Sequence, residues 1–521
     1  MNMHDQTLIA DSCPSPAGGA RHLLRLLDLP HLAFAVLLVW LLFRTELNEP
    51  DYFWHLKAGE YIAAHWALPS GDPFSYTFQG KPWALHEWLF EVGLYGVFAW
   101  LGPSGVKLLT AVLGTLSLYI VFRAANRLLG ASTLALALAI VHLTVLAGGF
   151  VPRPQLLTYV LFAALVHLLI AFKYFGEDRR LWLIPPLLVL WVNVHGGYIV
   201  GVVLLALFCG CEWLTHWRGE AEAGYRRRLV KLSLIAAGGA LATAINPAGI
   251  GAWLFPLQVM NMDFANSVIA EWQSPSFREL GGKLFLLLAF GFFLANIYRP
   301  TKPDLTEICL PVFFLFNGFV SVRHTPLAAL ILLPFVAVAL RHSPLQRGYH
   351  RLVCSGKPLG HAEVVVNWVL LCFVAVVFYF LSLTQQANAQ ARLNALMPVK
   401  AVEFVKSQGI SGRMFNEYAQ GGYLIDRLYP QQQVFIDGRV DLYGGEFLKE
   451  FMQIRNGAAG WQQAFDKHRI DYLIVQRDAA IRDLLLARGD FRLVYDDDAH
   501  SVLVRNSARF KQLAAPVAVR P

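Results

Sequence analysis

Four side chains with acid–base character fall in two short stretches: Asp51 and His55, then His86 and Glu87. Residues 52–66 have a helical pattern, which puts Asp51 and His55, four apart, on one face. Carboxylates and imidazoles grouped in this way are suited to taking up or delivering a proton. Cations stand nearby. Lys57 and Lys81 lie in the same stretch, Arg153 sits between two prolines in PRPQ with Gln155 next, and Arg323 precedes His324. A guanidinium can hold phosphate oxygens in pairs. Asn193 and His195 of WVNVHGG add polar groups between two apolar runs, and Trp54, Trp66, Trp83 and Trp88 surround the first cluster. Each residue also has a plainer reading. Asp51 can cap the helix that follows it, Glu87 gains from a helix dipole, Arg153 and Arg323 can reach toward an interface, and Asp72 before Pro73 can serve a turn. A divalent cation on Asp51, His55, His86 and Glu87 suits these ligand types without being required by them, so no residue is assigned as a metal ligand.

What must position these groups is a set of membrane helices. Of 521 residues, 56% are hydrophobic and only 15% charged, and the mean hydropathy is +0.45. Too few charges remain to coat several separate soluble cores. The net charge of +8 fits basic cytoplasmic loops better than nucleic-acid binding. The six cysteines have no disulfide or zinc spacing. After a polar N-terminus, apolar runs predict spans at 27–44, 104–122, 129–148, 156–173, 181–195, 197–215, 229–246, 283–298, 305–320, 325–341 and 364–384, about eleven in all. The first is expected to be retained, since no small-residue cleavage site follows it. Residues 85–102 are apolar but carry His86, Glu87 and Glu91, and are read as a half-embedded helix. With that reading the basic loops fall on the N-terminal side, which predicts N-terminus in and C-terminus out. The polar motifs at 45–103, 153–155, 193–195, 246–282 and 323–324 then gather on the outer face, where costly polar groups at membrane depth mark a site.

Beyond residue 385 charges return, and helical and strand-like segments alternate. Strands are predicted at 412–416, 434–436, 471–476, 491–495 and 501–505, with helices between them, giving a small outer α/β domain. Asp437 and Arg439 follow a predicted strand, either as ligand groups or as a salt bridge with Asp441 or Glu446. The expected organisation is a disordered cytoplasmic N-terminus at 1–26, a transmembrane domain at 27–384 with its chemistry in loop 45–103, and a periplasmic α/β domain at 385–521.

An acid just after the first span, an amphipathic outer helix, a Gly-x-Pro turn (Gly80-Lys81-Pro82) and an acid heading the next helix resemble the GT-C glycosyltransferases. The likeness is to bacterial aminoarabinose transferases and protein O-mannosyltransferases over residues 30–160. The H-E-W-L and F-I-D-G-R signatures resemble a large group of GT-C-like bacterial membrane proteins. The resemblance implies a sugar moved from a polyprenyl-phosphate carrier to an acceptor glycan, lipid or protein at the outer face of the bacterial inner membrane. Asp51 matches the acid that serves as general base, Glu87 the second acid, and His55 and His86 accompany them. Two features depart from the pattern: Glu49 and Asp51 replace an adjacent Asp-Glu pair, and Trp88-Leu89 replace Lys-Pro-Pro. Lys57, Lys81, Arg153 and Arg323 are then the candidate phosphate-binding cations, with Gln155, Asn193 and His195 lining the same pocket. The alternatives are a non-catalytic scaffold in envelope polysaccharide assembly and a transporter or flippase. The second lacks repeated hydropathy halves and charges along span centres.

Overall fold

A computed structural model describes residues 29–219, 224–256, 262–353, isolated positions between 354 and 388, and 389–513. The polar N-terminus and the predicted span 364–384 lie outside the described residues, isolated positions of the latter aside. Helices stand at the other ten expected spans. They are α1 (Leu29–Arg44), α3 (Trp88–Leu129), α4 (Ser132–Leu146), α5 (Gln155–Phe175), α6 (Ile184–Val194), α7 (Tyr198–Trp217), α8 (Tyr225–Ala242), α10 (Leu280–Ile297), α11 (Leu305–Val320) and α12 (Thr325–Leu340). Between them lie α2 (Pro50–His65) and the short α9 (Asp263–Val268). Among the described residues, six helical stretches are long and apolar enough to cross a membrane, while α1 and α11 are apolar but shorter. Buried along almost its whole length, α12 is packed against α3, α4, α10 and α11.

The predicted half-embedded helix is the first part of α3. At Gly102 the backbone turns to φ 62° and ψ −158°, and Pro103 follows. The proline clashes with continuation of the preceding turn and the glycine accepts the left-handed conformation. Residues 88–101 therefore form a helix of their own, set at a break to the span that runs on to Leu129.

At one end of the bundle the connections are basic and internally paired. Arg127 meets Glu177 at 2.6 Å, Lys231 meets Asp178 at 3.1 Å, and Lys173 meets Asp304 at 2.8 Å. The opposite end carries α2, the turn before α5, the α6–α7 junction, the Glu271 segment and the Arg323 turn, joined by the contacts described below. The predicted convergence of polar motifs on one end is thus present.

The C-terminal unit also sits at that end. It holds α14 (Val399–Ser407), α15 (Gly421–Leu428), α16 (Val440–Arg455), α17 (Trp461–Lys467) and α18 (Ala480–Arg488), α13 (Pro344–Val353) lying earlier in the chain. Its sheet comprises β1 (Met414–Asn416), β2 (Tyr472–Gln476), β3 (Phe491–Asp496) and β4 (His500–Arg505) in the order β1-β2-β4-β3. β1 and β2 are parallel and the remaining pairs antiparallel. Alternation along the strands sends Phe415, Leu473, Val475 and Leu503 into one core and Met414, Tyr472, Ile474, Val502 and Val504 into the other.

The predicted strand 434–436 is not in this sheet. The Asn416 side chain occupies the bonding edge there, accepting from the Phe435 N–H at 2.8 Å and donating to the Ile436 carbonyl at 2.8 Å. Val434 instead makes a lone parallel bridge with Ser75 of the first loop. Nor does Arg439 pair with Asp441 or Glu446. Wholly buried, it binds Asp437 at 2.6 Å and Asp72 at 2.7 Å, and lies over the Trp83 ring at 4.4 Å. Asp72 is therefore more than a turn residue. It accepts from the backbone of Phe74 and Ser75 and ties the first loop to the C-terminal unit.

Candidate active site

α2 starts cleanly because Pro50 occupies its first turn and Glu49 accepts the Tyr52 N–H at 2.9 Å as N-cap. Asp51, Trp54 and His55 then share a face, and the Trp54 indole donates to Asp51 Oδ1 at 3.1 Å. Gly59 lets this helix touch α3: a Cβ there would stand 2.0 Å from the Glu91 carbonyl oxygen. That close crossing brings His55 onto the acids at the start of α3.

Two groups of residues result. In the first, Arg153 is held between carboxylates, with Asp51 at 2.8 Å, Glu49 at 3.3 Å and Glu271 at 3.4 Å. Its Nε is buried without a partner. Burial drives the Glu49 carboxyl up to about 8, with Arg153 opposing and the charge on Asp51 adding to the rise. Burial also raises Asp51, again against Arg153. Glu271 stays below its ordinary value because Arg153 and Arg323 outweigh its burial. Three acids facing one guanidinium cannot all ionise cheaply, and Glu49, raised to about 8, holds a proton near neutrality.

The second group centres on Glu87, the residue before the first turn of α3. Its carboxylate lies 3.7 Å from His55 Nδ1, 3.5 Å from His86 Nε2 and 3.5 Å from His195 Nε2. Burial works to raise Glu87, but His86, by its charge and its hydrogen bond, holds it well below the usual range. His86 is raised in turn, its pairing with Glu87 overcoming its own burial. Burial pulls both His55 and His195 down to about 3, so both are neutral. The tautomer of His195 follows from its neighbours. Thr158 Oγ1 accepts the Trp191 indole N–H at 2.8 Å and turns its own proton toward His195 Nδ1, also at 2.8 Å. The Gly197 N–H donates to the same nitrogen. The proton of neutral His195 is therefore on Nε2, directed at Glu87, with Arg323 Nη2 3.4 Å away.

His55, Glu87 and Glu91 offer three ligand atoms within 4.8 Å of one another. His55 Nδ1 lies in hydrogen-bond contact with Glu91 Oε1 at 3.1 Å, while Glu91 Oε2 is buried with no partner. An imidazole, two carboxylates and an orphaned buried oxygen suit a divalent cation. This set differs from the expected one: Glu91 takes the place of Asp51, which is committed to Arg153, and His86 faces Glu87 from the other side.

The remaining candidates divide. Arg323 reaches the site and has no carboxylate within 4.0 Å among the described residues. Gln155 is buried at the first turn of α5, two residues from Arg153. Asn193 is taken up by structure, accepting from the Trp88 indole at 3.0 Å and donating to the Val189 and Ile245 carbonyls. Lys57 pairs with Glu60 at 2.6 Å on the far side of α2, and exposed Lys81 lies over the Phe78 ring at 3.7 Å. Neither lysine joins the cluster. Sequence reading gave no role to Glu91 or Glu271, and left Glu49 as a departure from a motif. Only the position of Glu49, two residues before Asp51, hinted at its place.

No protein-family model and no curated protein sequence matches the chain. Among solved structures, ArnT from Cupriavidus metallidurans bound to undecaprenyl phosphate matches with a TM-score of 0.52 and 16% identity, over 96% of this chain and 100% of that one. The oligosaccharyltransferase AglB from Archaeoglobus fulgidus, in complex with an inhibitory peptide and a dolichol-phosphate, matches with a TM-score of 0.55 and 10% identity, over 89% of this chain and 72% of that one. With both of them the chain shares the GT-C fold, a polytopic helical membrane unit joined to a C-terminal domain.

Proposed function

We propose that the chain is a glycosyltransferase that moves a sugar from a polyprenyl-phosphate carrier to an acceptor on the outer face of the bacterial inner membrane. The observation that carries this reading is the arrangement around Asp51: a carboxylate raised by burial and fixed by Arg153, facing a second group with Glu87, His195 and Arg323. A base that removes the acceptor hydroxyl proton as the anomeric bond forms must be anionic yet basic; burial raises the basicity of Asp51 while Arg153 favours its anion. The departing phosphate needs a cation not already neutralised. Arg323 fits that role, while Arg153 is spent on orienting Asp51. His195, with its proton on Nε2, can donate to a phosphate oxygen. A divalent cation held by His55, Glu87 and Glu91 would add positive charge for the leaving phosphate. That the fold is shared with an ArnT structure containing undecaprenyl phosphate supports a lipid-linked donor. Polar residues at one end and basic loops at the other support a cytoplasmic N-terminus and a periplasmic C-terminal domain.

Asp51→Asn in the full-length protein tests the reading. Transfer of labelled sugar from lipid-linked donors extracted from source membranes should fall by about 100-fold or more, with undecaprenyl phosphate still bound. Unchanged transfer would sink the catalytic role, and no transfer by the wild-type protein would favour the scaffold.

A further inference from the structure

The segment Asp437-Gly438-Arg439 belongs to the C-terminal unit, and the chemistry proposed above does not use it. Yet its backbone presses on the proposed base. A Cβ on Gly438 would stand 1.9 Å from Asp51 Oδ1 and 3.5 Å from Trp54 Nε1. Its φ lies outside the left-handed region, so the backbone does not call for glycine here. The space does: the Asp51 oxygen fills the place where a side chain would begin.

Separate contacts hold this approach on both sides. Arg439 anchors the segment through Asp72 and Asp437 while wholly buried. The Tyr418 hydroxyl donates to the Gly438 carbonyl at 3.1 Å. One residue before Asp51, the Pro50 carbonyl oxygen lies 2.5 Å from where a Cβ on Gly422 would be, so the C-terminal unit meets the start of α2 at two glycines. Asp51 Oδ2 is held by Arg153 and Oδ1 by the Trp54 indole. Gly438 packs against Oδ1, while the Asp51 side chain stays 18% exposed, open to an acceptor.

We infer that Gly438 is a positioning residue for Asp51, so that the C-terminal domain completes the site and is not a separable acceptor-binding module. This rests on Asp51 as the base, but the geometry can be tested without any transfer assay. In the full-length protein, carbodiimide labelling of Asp51 followed by mass spectrometry reads how tightly its carboxylate is held. Gly438→Ala should raise labelling of Asp51 several-fold, with Asp178 at the far end unchanged. In the transfer assay it should lower kcat by roughly 100-fold, as a displacement of about 1 Å can, with KM for the lipid-linked donor within about twofold. Tyr418→Phe, which deletes one hydroxyl and adds no atoms, should show the same pattern more weakly and serves if Gly438→Ala does not fold. Wild-type labelling of Asp51 in these variants overturns the inference. Faster labelling in a protein whose wild-type form transfers nothing upholds the positioning and overturns only the transferase reading.

Discussion

Arg153 faces three carboxylates, and the proton that this surplus of acid retains is the most direct physical handle on the site. Glu49, pushed up to about 8 by burial, binds a proton in the folded protein where the unfolded chain has already released it. Native protein thus carries more protons than unfolded chain between the ordinary glutamate range and about pH 8, and stability declines as pH rises through that window. Glu49→Gln keeps the uncharged form at every pH. Thermal melts in detergent should show a shallower loss of stability for the variant between about pH 5 and 8. A slope equal to wild type would mean that Glu49 is ionised throughout. Two residues on, Asp51 is also raised by burial, but lies 2.8 Å from the same guanidinium, which opposes that rise.

At the scale of elements, the site depends on how α2 crosses α3. The helix repeat sets Asp51 and His55 on one face, but what they face is decided by the depth of the crossing. Gly59 sets that depth, since its missing side chain leaves room for the Glu91 carbonyl. Gly59→Ala must drive backbone from backbone, which costs about 1–3 kcal/mol when a packed interface cannot yield. The expected outcome is a lowered unfolding midpoint together with a less buried His55, seen as a His55 resonance titrating closer to the ordinary histidine range. A midpoint and titration like wild type would show that the crossing adjusts freely. The break at Gly102-Pro103 acts at the same scale: it gives residues 88–101 a direction of their own, so Glu87, His86 and Glu91 meet α2 and the α6–α7 junction.

For the molecule as a whole, the distribution of charge supports an orientation. Arg127, Lys173 and Lys231 pair with acids at one end, while the site and the C-terminal domain occupy the other. With basic loops cytoplasmic, a cysteine-free background carrying Arg123→Cys should react with an impermeant maleimide only after the membrane is opened, and Asp498→Cys should react in intact spheroplasts. Both positions labelling alike would overturn the orientation. Docking of the C-terminal domain rests on a buried charge cluster. Removing one member of such a cluster strands the others and typically costs about 3–5 kcal/mol, so Arg439 and Asp72 hold the domain in one place over the first loop.

Hydrophobicity is local and additive along the chain, so apolar runs marked ten of the described helices, six of them within stretches long and apolar enough to cross a membrane, and the return of charge marked the α/β domain. The same local arithmetic placed Asp51 with His55 on α2 and Glu87 at the head of α3. It failed wherever a partner is chosen across the fold. Glu271 reaches Arg153 across 118 positions and Arg439 reaches Asp72 across 367, and no spacing rule encodes either. Lys57 and Lys81 had the right charge and proximity in sequence, yet a helix face and an aromatic ring turn them away from the acids. The segment 434–436 has strand composition, but one asparagine side chain takes the bonds a neighbouring strand would have made. Residue types and helical repeat thus settle which elements exist and what chemistry they can offer. Which groups share a proton, a cation or a wall of the site is settled by burial and close approach, which exist only once the helices and the C-terminal domain are packed.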